Sequence, residues 1–221
     1  MRSFKQFTSG ILSLAFCGLL SSNQALSQRD PSAETPKKPT LKPSGIVIDG
    51  DIVVAGTGCS DLKSGSVSKN GDLFWVTLDE TIKTELPAGD SLKRSACNIS
   101  ADIVVPADWQ YRVVSLFSWY EGQLLDQVQA EIYKKAGIQG KGLASAPTKI
   151  INGAGNKNGF HQGVFADDSP WSPCGGGRNV NIMYSQILKV ATTSAVGSSA
   201  AGESIFETWS TLVARLEWRK C

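Results

Sequence analysis

Apolar and polar residues alternate with a period of two over long stretches of this chain. The alternation runs through residues 72–78, 97–105, 109–119, 180–190 and 206–218. Because successive side chains of a β-strand point to opposite faces, this period predicts strands with one buried face. Many such strands separated by turns predict an all-β fold, an antiparallel β-sandwich of the jelly-roll kind. The stretch that follows, from Leu124 to Lys135, fits a strand or a helix.

The N-terminal residues have the three parts of a secretory signal peptide. A basic start precedes a short apolar run over residues 11–20, and small residues then allow cleavage after Ser27. The run is shorter than the roughly 20 residues of a membrane-spanning helix, and no later segment is long and apolar enough. We therefore expect a secreted or periplasmic protein without a membrane span. A lipid anchor on Cys17 is the alternative, although Phe16 stands where lipoprotein signals carry a small residue.

The chain divides into three parts by composition. Residues 1–27 form the predicted signal peptide, and residues 28–43 contain four prolines and almost no large apolar residue. Such a segment cannot bury a core, so we expect an extended linker. Residues 44–221 have the length of a single domain with its own core. Within that sandwich domain, a long irregular connection is predicted between Ala136 and Gly177, packed over one edge or end.

The charge of the chain argues against one class of partner. The sequence holds 22 Lys+Arg and 20 Asp+Glu. Arg2 and Lys5 are removed with the signal peptide, which leaves 20 basic against 20 acidic residues. A neutral chain without a basic cluster lacks the electrostatic feature of nucleic-acid binders. We expect no nucleic-acid partner.

Four cysteines remain after the signal peptide: Cys59, Cys97, Cys174 and Cys221. An even number in an exported chain predicts two disulfides, and four cysteines allow three pairings. If the last two alternating segments form an antiparallel hairpin through residues 195–202, paired residues share a constant sum of residue numbers. That register places Cys174 opposite Cys221. It predicts a Cys174–Cys221 bond and leaves Cys59 to pair with Cys97.

The sequences around these cysteines are distinctive. They read Gly56-Thr-Gly-Cys59, Ala96-Cys97-Asn98-Ile99, Trp171-Ser-Pro-Cys174 and Leu216-Glu-Trp-Arg-Lys-Cys221. In this order they resemble the family called domain of unknown function 4360, secreted proteins of fungi and bacteria. The resemblance covers roughly residues 46 to 221. It implies export, β-rich structure and paired cysteines, and it implies no established reaction, cofactor or catalytic residue.

Catalytic and metal chemistry find little support in the residue types. His161 is the single histidine, and its Gly/Asn-rich surroundings at residues 152–163 predict a loop. A serine or cysteine hydrolase would need that histidine as base, and no Gly-x-Ser-x-Gly motif is present. One histidine also excludes a histidine-rich zinc site, and the cysteines are predicted to be oxidised. We expect no metal and no cofactor.

Carboxylates offer the one catalytic alternative. A glycosidase needs only two carboxyl groups at a set separation, and a β-sandwich can hold them. The acidic candidates are Glu121, Asp126, Glu131, Asp167 and Asp168. Their spacing along the chain does not define their separation in space. The alternative function is therefore a glycosidase-like hydrolase that uses a pair among them.

Aromatic residues favour a binding function instead. Trp119 and Tyr120 end a long predicted strand, and Trp171 lies in a predicted loop. Flat exposed rings on a sandwich can hold the faces of sugars, and tryptophan contributes strongly at interfaces. With export, disulfides and no recognisable catalytic set, the leading interpretation is a non-enzymatic module that binds a ligand or surface. A glycan or another cell-surface component is the expected partner.

Overall fold

The computed structural model describes residues 43–165, 167, 169–191 and 199–221. The predicted signal peptide, nearly all of the linker and Asp168 lie outside the described residues. The described residues contain strands and no helix, and therefore no helix that could cross a membrane. The strands are β1 (Val47–Ala55), β2 (Leu62–Val67), β3 (Leu73–Leu78), β4 (Ile82–Leu86), β5 (Leu92–Val105), β6 (Trp109–Leu124), β7 (Val128–Ile138), β8 (Gly142–Ser145), β9 (Lys149–Asn152), β10 (Gly155–Val164), β11 (Gly176–Val190), β12 (Ser204–Thr208) and β13 (Thr211–Lys220).

The strands form two antiparallel sheets. Sheet I has the order β1-β5-β11-β7, and β8 and β9 both pair with β7. Sheet II is organised around β6, which pairs with β10 along one edge and with β12 and β13 along the other. On the far side of those two strands, β4 pairs with β12, and β3 followed by β2 pairs with β13. The predicted antiparallel β-sandwich is confirmed.

The core lies between the two sheets and is built by the alternating residues. In β5 and β11 of sheet I, every second side chain from Cys97 to Val105 and from Val180 to Tyr184 is buried. Sheet II contributes Phe74, Tyr111 and Phe206, each 0% exposed. Burying one such side chain contributes about 1.5–3 kcal/mol, so the period of two is the main determinant of the fold.

Two local expectations are wrong, and one pair of alternatives is resolved. Of the strand and the helix considered for residues 124–135, the strand is found, because this stretch contains the start of β7 and no helix. The connection between Ala136 and Gly177 is not irregular throughout, because it holds β8, β9 and β10. His161 belongs to β10 rather than to a loop. The cause is the low hydrophobicity of β10, whose sequence Gly-Asn-Lys-Asn-Gly-Phe-His-Gln-Gly-Val conceals its alternation.

Both disulfides are present, but the hairpin used to derive one of them is not. Cys59 is bonded to Cys97 and Cys174 to Cys221. The strand after Cys174, β11, pairs with β5 and β7 in sheet I, whereas β13 before Cys221 lies in sheet II. The two cysteines meet because β11 begins and β13 ends at the same end of the sandwich. Each bond closes a loop of about 40 to 50 residues, worth roughly 4 kcal/mol in the chain-entropy model.

A polar network crosses the core at one end. Gln186 of β11 is 0% exposed, and its side-chain amide donates to Ile82 O at 2.7 Å, Thr84 Oγ1 at 2.9 Å and Phe206 O at 3.0 Å. Its carbonyl oxygen accepts from Thr208 Oγ1 at 3.0 Å. These four partners belong to sheet II, so one amide fixes the relative position of the two sheets.

A lysine is also buried between the two sheets. Lys134 of β7 is 1% exposed, and its Nζ donates to Leu116 O at 3.0 Å and His161 O at 2.6 Å. No carboxylate pairs with it among the described residues. Burial lowers the pKa of Lys134 to about 7. The two hydrogen bonds of this side chain connect β6 and β10 of sheet II to β7 of sheet I.

Candidate binding face

The outer face of sheet II is organised by β6. Val213 lies opposite Phe117 and Arg215 opposite Ser115, but Leu216 lies opposite Val113. Val114 is thus the extra residue of a β-bulge. From Leu116 onward, the odd-numbered side chains of β6 point outward and the even-numbered ones point to the core.

Four aromatic side chains form a continuous group on this face, which we call the aromatic patch: Phe117, Trp119, Phe160 and Trp209. The Trp119 ring centroid lies 5.2 Å from Phe160 and 6.0 Å from Trp209, and Phe160 lies 5.7 Å from Phe117. Trp119, Phe160 and Trp209 are 38%, 47% and 51% exposed. Large rings at this exposure do not complete a core, so the patch can contact a ligand.

Hydrogen-bonding side chains surround the patch. Along β10, Asn158 and Gln162 flank Phe160 and lie opposite Glu121 and Phe117. On the other side of β6, Glu207 lies opposite Glu121, and Thr81 Oγ1 donates to Glu207 at 3.2 Å. The indole N–H groups of the two patch tryptophans have no hydrogen-bond partner among the described residues. Flat apolar rings are therefore bordered by both donors and acceptors.

A cavity of about 480 Å³ adjoins the patch on the same face. We call it the arginine cavity. Its lining includes Arg112, Val114, Val164, Asp167, Arg215 and Glu217. Arg112 Nε is 2.6 Å from Glu217 Oε2, and Arg112 Nη2 is 3.5 Å from Asp167 Oδ1. The bulge places Val114 at this cavity.

The structure separates the three aromatic residues proposed from the sequence. Trp119 belongs to the aromatic patch. Tyr120 points the other way and packs on Phe206, with ring centroids 5.4 Å apart. Trp171 does lie in a loop, but its ring is covered by the guanidinium groups of Arg112 at 4.8 Å and Arg219 at 4.0 Å. Only one of the three is on the patch.

The proposed carboxylates do not converge on one cleft. Asp167 forms an ion pair with Arg112. Arg112 precedes Glu121 by nine residues on β6, and nine residues of a strand span roughly 30 Å. Asp126 is exposed in the turn between β6 and β7. Glu131 is on sheet I, where it accepts hydrogen bonds from Lys189, Tyr133 and Gln129. Asp168 lies outside the described residues.

Sequence reasoning missed Phe160, Trp209 and Glu207. Phe160 was concealed by the glycines of β10. Trp209 has an odd residue number, whereas the buried residues on either side of it, Phe206 and Leu212, have even numbers. The alternation alone would therefore have placed Trp209 on the outer face. Glu207 shares that parity.

The family profile for a domain of unknown function, DUF4360, matches residues 44–221. The chain belongs to the DUF4360 family. The match spans both sheets and all four paired cysteines, as the sequence resemblance predicted. No curated protein matches this chain in sequence.

Some solved structures are similar in part to this DUF4360 domain. TmCBM61, in complex with β-1,4-galactotriose, is 11% identical over 75% of this chain and 89% of that chain, with a TM-score of 0.29. A CBM4 structure is 12% identical over 74% and 86% of the two chains, with a TM-score of 0.26. The N-terminal cellulose-binding domain of Cellulomonas fimi β-1,4-glucanase C is 10% identical over 74% and 87%, with a TM-score of 0.22. Scores this low do not establish a shared topology.

Proposed function

We propose that this domain is a non-enzymatic binding module that holds a glycan on the aromatic patch. The observation that carries the proposal is the contact series Phe160–Trp119–Trp209, three exposed rings from neighbouring parts of sheet II. Aromatic rings offer large contact areas with little loss of side-chain entropy, and their faces suit the C–H surfaces of pyranose rings.

The border of the patch supports a hydroxyl-rich ligand. Sugars present donors and acceptors in the plane of the ring, and Asn158, Gln162 and Glu121 provide both types at the sides of the aromatic rings. The indole N–H groups of Trp119 and Trp209, which lack partners among the residues that the structure describes, add donors that a ligand can use. A purely apolar partner would leave these groups without hydrogen bonds, which costs free energy.

The proposal is tested with the full-length chain against a panel of soluble and insoluble polysaccharides. We expect Trp209→Ala and Phe160→Ala each to weaken binding about tenfold or more, in the range of a lost stacking contact at an interface. Leu143→Ala is the matched control, because Leu143 is 47% exposed but belongs to β8 of sheet I. Retention on no polysaccharide, or equal binding by all three variants, would remove the proposal.

A hydrolase is the second candidate, with a pair of carboxylates of which only Glu121 was a candidate from the sequence. Glu121 and Glu207 are direct cross-strand partners beside Trp119, and directly opposed residues have Cβ atoms about 5 Å apart. Retaining glycosidases place their carboxyl groups at about that separation. Release of reducing ends from a bound polysaccharide, abolished by Glu121→Gln and by Glu207→Gln, would favour hydrolysis over binding alone.

We also propose that the protein works outside the cytoplasm. Two disulfides are typical of an oxidising compartment, and the N-terminal sequence has the parts of an export signal. Mass spectrometry of the mature protein from its native host is expected to show a chain beginning at Gln28 without free thiols. Recovery of an uncleaved chain with reduced cysteines would contradict this location.

A further inference from the structure

The arginine cavity is continuous with the aromatic patch. On β13, Val213 lies opposite Phe117, and Arg215 is the next residue on the same face. Residues two apart on a strand are about 7 Å apart, so a ligand on the patch can extend to Arg215 without leaving sheet II. The cavity volume of about 480 Å³ lies within the range of small-ligand sites.

The two arginines of this cavity differ in their pairing. Arg112 is bound to Glu217 and Asp167 and stacks on Trp171. Arg215 is exposed, and its guanidinium group has neither an ion-pair nor a hydrogen-bond partner among the described residues. A guanidinium group offers donors in a planar fork that fits the oxygen atoms of a carboxylate or another oxyanion.

The β-bulge adds a second unsatisfied group in the same row. Ser115 lies between Arg215 and Val164 in the strand register, and both neighbours line the cavity. Ser115 is 2% exposed, and its hydroxyl has no hydrogen-bond partner among the described residues. Bulges are frequent next to binding sites because they redirect side chains. Here the bulge brings an apolar contact, Val114, to the cavity wall, and the Ser115 hydroxyl stays buried beneath the row of Arg215.

We infer that the ligand is an anionic glycan and that Arg215 determines this specificity by pairing with its oxyanion group. The aromatic patch holds the faces of the sugar rings, and a carboxylate or sulfate on the same chain reaches the arginine cavity. This inference rests on the proposed function, because it concerns the same outer face of sheet II. It names a residue, Arg215, that the aromatic contacts alone do not require.

The first experiment compares matched ligands on the full-length chain. Polygalacturonate and its methyl ester share a backbone and differ in the charge of the carboxyl group, and dextran sulfate with dextran forms the sulfate arm. We expect one acidic polymer to bind about three- to tenfold more tightly than its neutral partner, as for one charge-assisted pair. The ratio should fall toward one as salt is added, because screening weakens an exposed pair. The arm that shows the ratio identifies the oxyanion.

The second experiment changes Arg215. Arg215→Gln is expected to abolish the acidic preference, and Arg215→Lys to retain part of it. Arg178→Gln is the matched control, because Arg178 is an exposed arginine at the start of β11 in sheet I. Equal binding of charged and neutral polymers, or an unchanged preference in Arg215→Gln, overturns the inference.

The two proposals fail in distinguishable ways. Neutral polymers that bind in a Trp209-dependent manner without any charge preference would leave the glycan module intact and reject the role of Arg215. A charge preference together with undiminished affinity in Trp209→Ala and Phe160→Ala would reject the aromatic patch as the binding surface. Absence of binding in every arm rejects both.

Discussion

The two faces of sheet II use aromatic residues in opposite ways. On the inner face, Tyr111 and Trp218 are buried, and their polar atoms are bonded: Tyr111 Oη donates to Arg178 O and Trp218 Nε1 to Gly71 O, both at 2.8 Å. On the outer face, Trp119 and Trp209 are exposed, and their N–H groups lack partners among the described residues. Satisfied rings stabilise the fold, whereas unsatisfied rings are available to a ligand. The difference assigns stability to the inner face and leaves the rings of the outer face for the proposed ligand.

The largest difference in the free energy of unfolding is expected between a substitution on the inner face and a substitution on the outer face. Phe206→Ala on the inner face is expected to lower the free energy of unfolding by about 3–5 kcal/mol, because it opens a cavity in the core. Phe160→Ala on the outer face should change it by less than about 1 kcal/mol. Chemical denaturation of both variants measures the contrast. Similar losses from both would show that the patch is part of the folding core.

A second pair tests the polar groups of the two faces. Gln186→Leu leaves Thr84, Thr208 and two carbonyl groups without their buried partner, and should cost about 2–3 kcal/mol. Gln162→Leu, on the exposed side of β10, should remain within about 0.5 kcal/mol of the parent chain. An unchanged free energy of unfolding in Gln186→Leu would mean that the network does not hold the sheets together.

Lys134 should make stability depend on pH on the basic side. Burial lowers its pKa in the folded protein to about 7, below the ordinary value of 10.5. Between these values the unfolded chain binds a proton that the folded protein does not, so stability rises with pH, by about 2 kcal/mol from pH 7 to 9. The window stops there because burial raises the pKa values of Tyr111 and Tyr184 above 10, and their stabilisation is lost at higher pH.

Denaturation midpoints at several pH values measure this slope. Lys134→Met should remove it. Lys135→Met, on the same strand with its side chain on the opposite face, should keep it. A slope that persists in Lys134→Met would assign it to another group.

His161 should have the smallest effect, on the acidic side. Burial, together with the charges of Lys134 and Lys149, lowers the pKa of His161 to about 4 from 6.5. The folded protein thus resists protonation that the unfolded chain accepts, so stability falls as pH decreases from 6.5 to about 4.5. The full shift corresponds to roughly 2 kcal/mol. Because His161 is only half-buried, solvent screening reduces the expected loss to about 1 kcal/mol. His161→Gln should flatten this part of the profile. An unchanged profile would show that the imidazole is hydrated in solution.

Alternation was sufficient to predict the sandwich, because burial of one face of each strand leaves a direct trace in the sequence. It failed for β10, where packing requires glycine. A Cβ on Gly159 would lie 2.6 Å from Tyr120 Oη, and one on Gly163 would lie 2.8 Å from Lys134 Cδ. These glycines replace the apolar residues that would have marked the inner face. Phe160, the exposed aromatic of the same strand, was consequently read as part of a loop.

The partners of each strand were beyond the reach of periodicity. Strands β11 and β13 both alternate, but alternation does not state which sheet a strand joins, so a hairpin between them was a reasonable and wrong inference. The Cys174–Cys221 bond was nevertheless predicted, because any arrangement that brings the two strand ends together satisfies it. Likewise, Trp119 could be named from the sequence, whereas its contacts with Trp209 and Phe160 depend on pairings that only the structure gives.

The placement of the two disulfides bears on mechanical load. The chain passes from sheet I to sheet II between β1 and β2, and the Cys59–Cys97 bond attaches this connection to β5. The Cys174–Cys221 bond joins the start of β11 to the end of β13. A force applied at residue 221 therefore reaches β11 of sheet I through a covalent bond, and β13 cannot be peeled away from β6 and β3 alone. While both bonds are intact, tension loads the sandwich as a unit. The domain is thus suited to remain folded when tension is applied to residue 221.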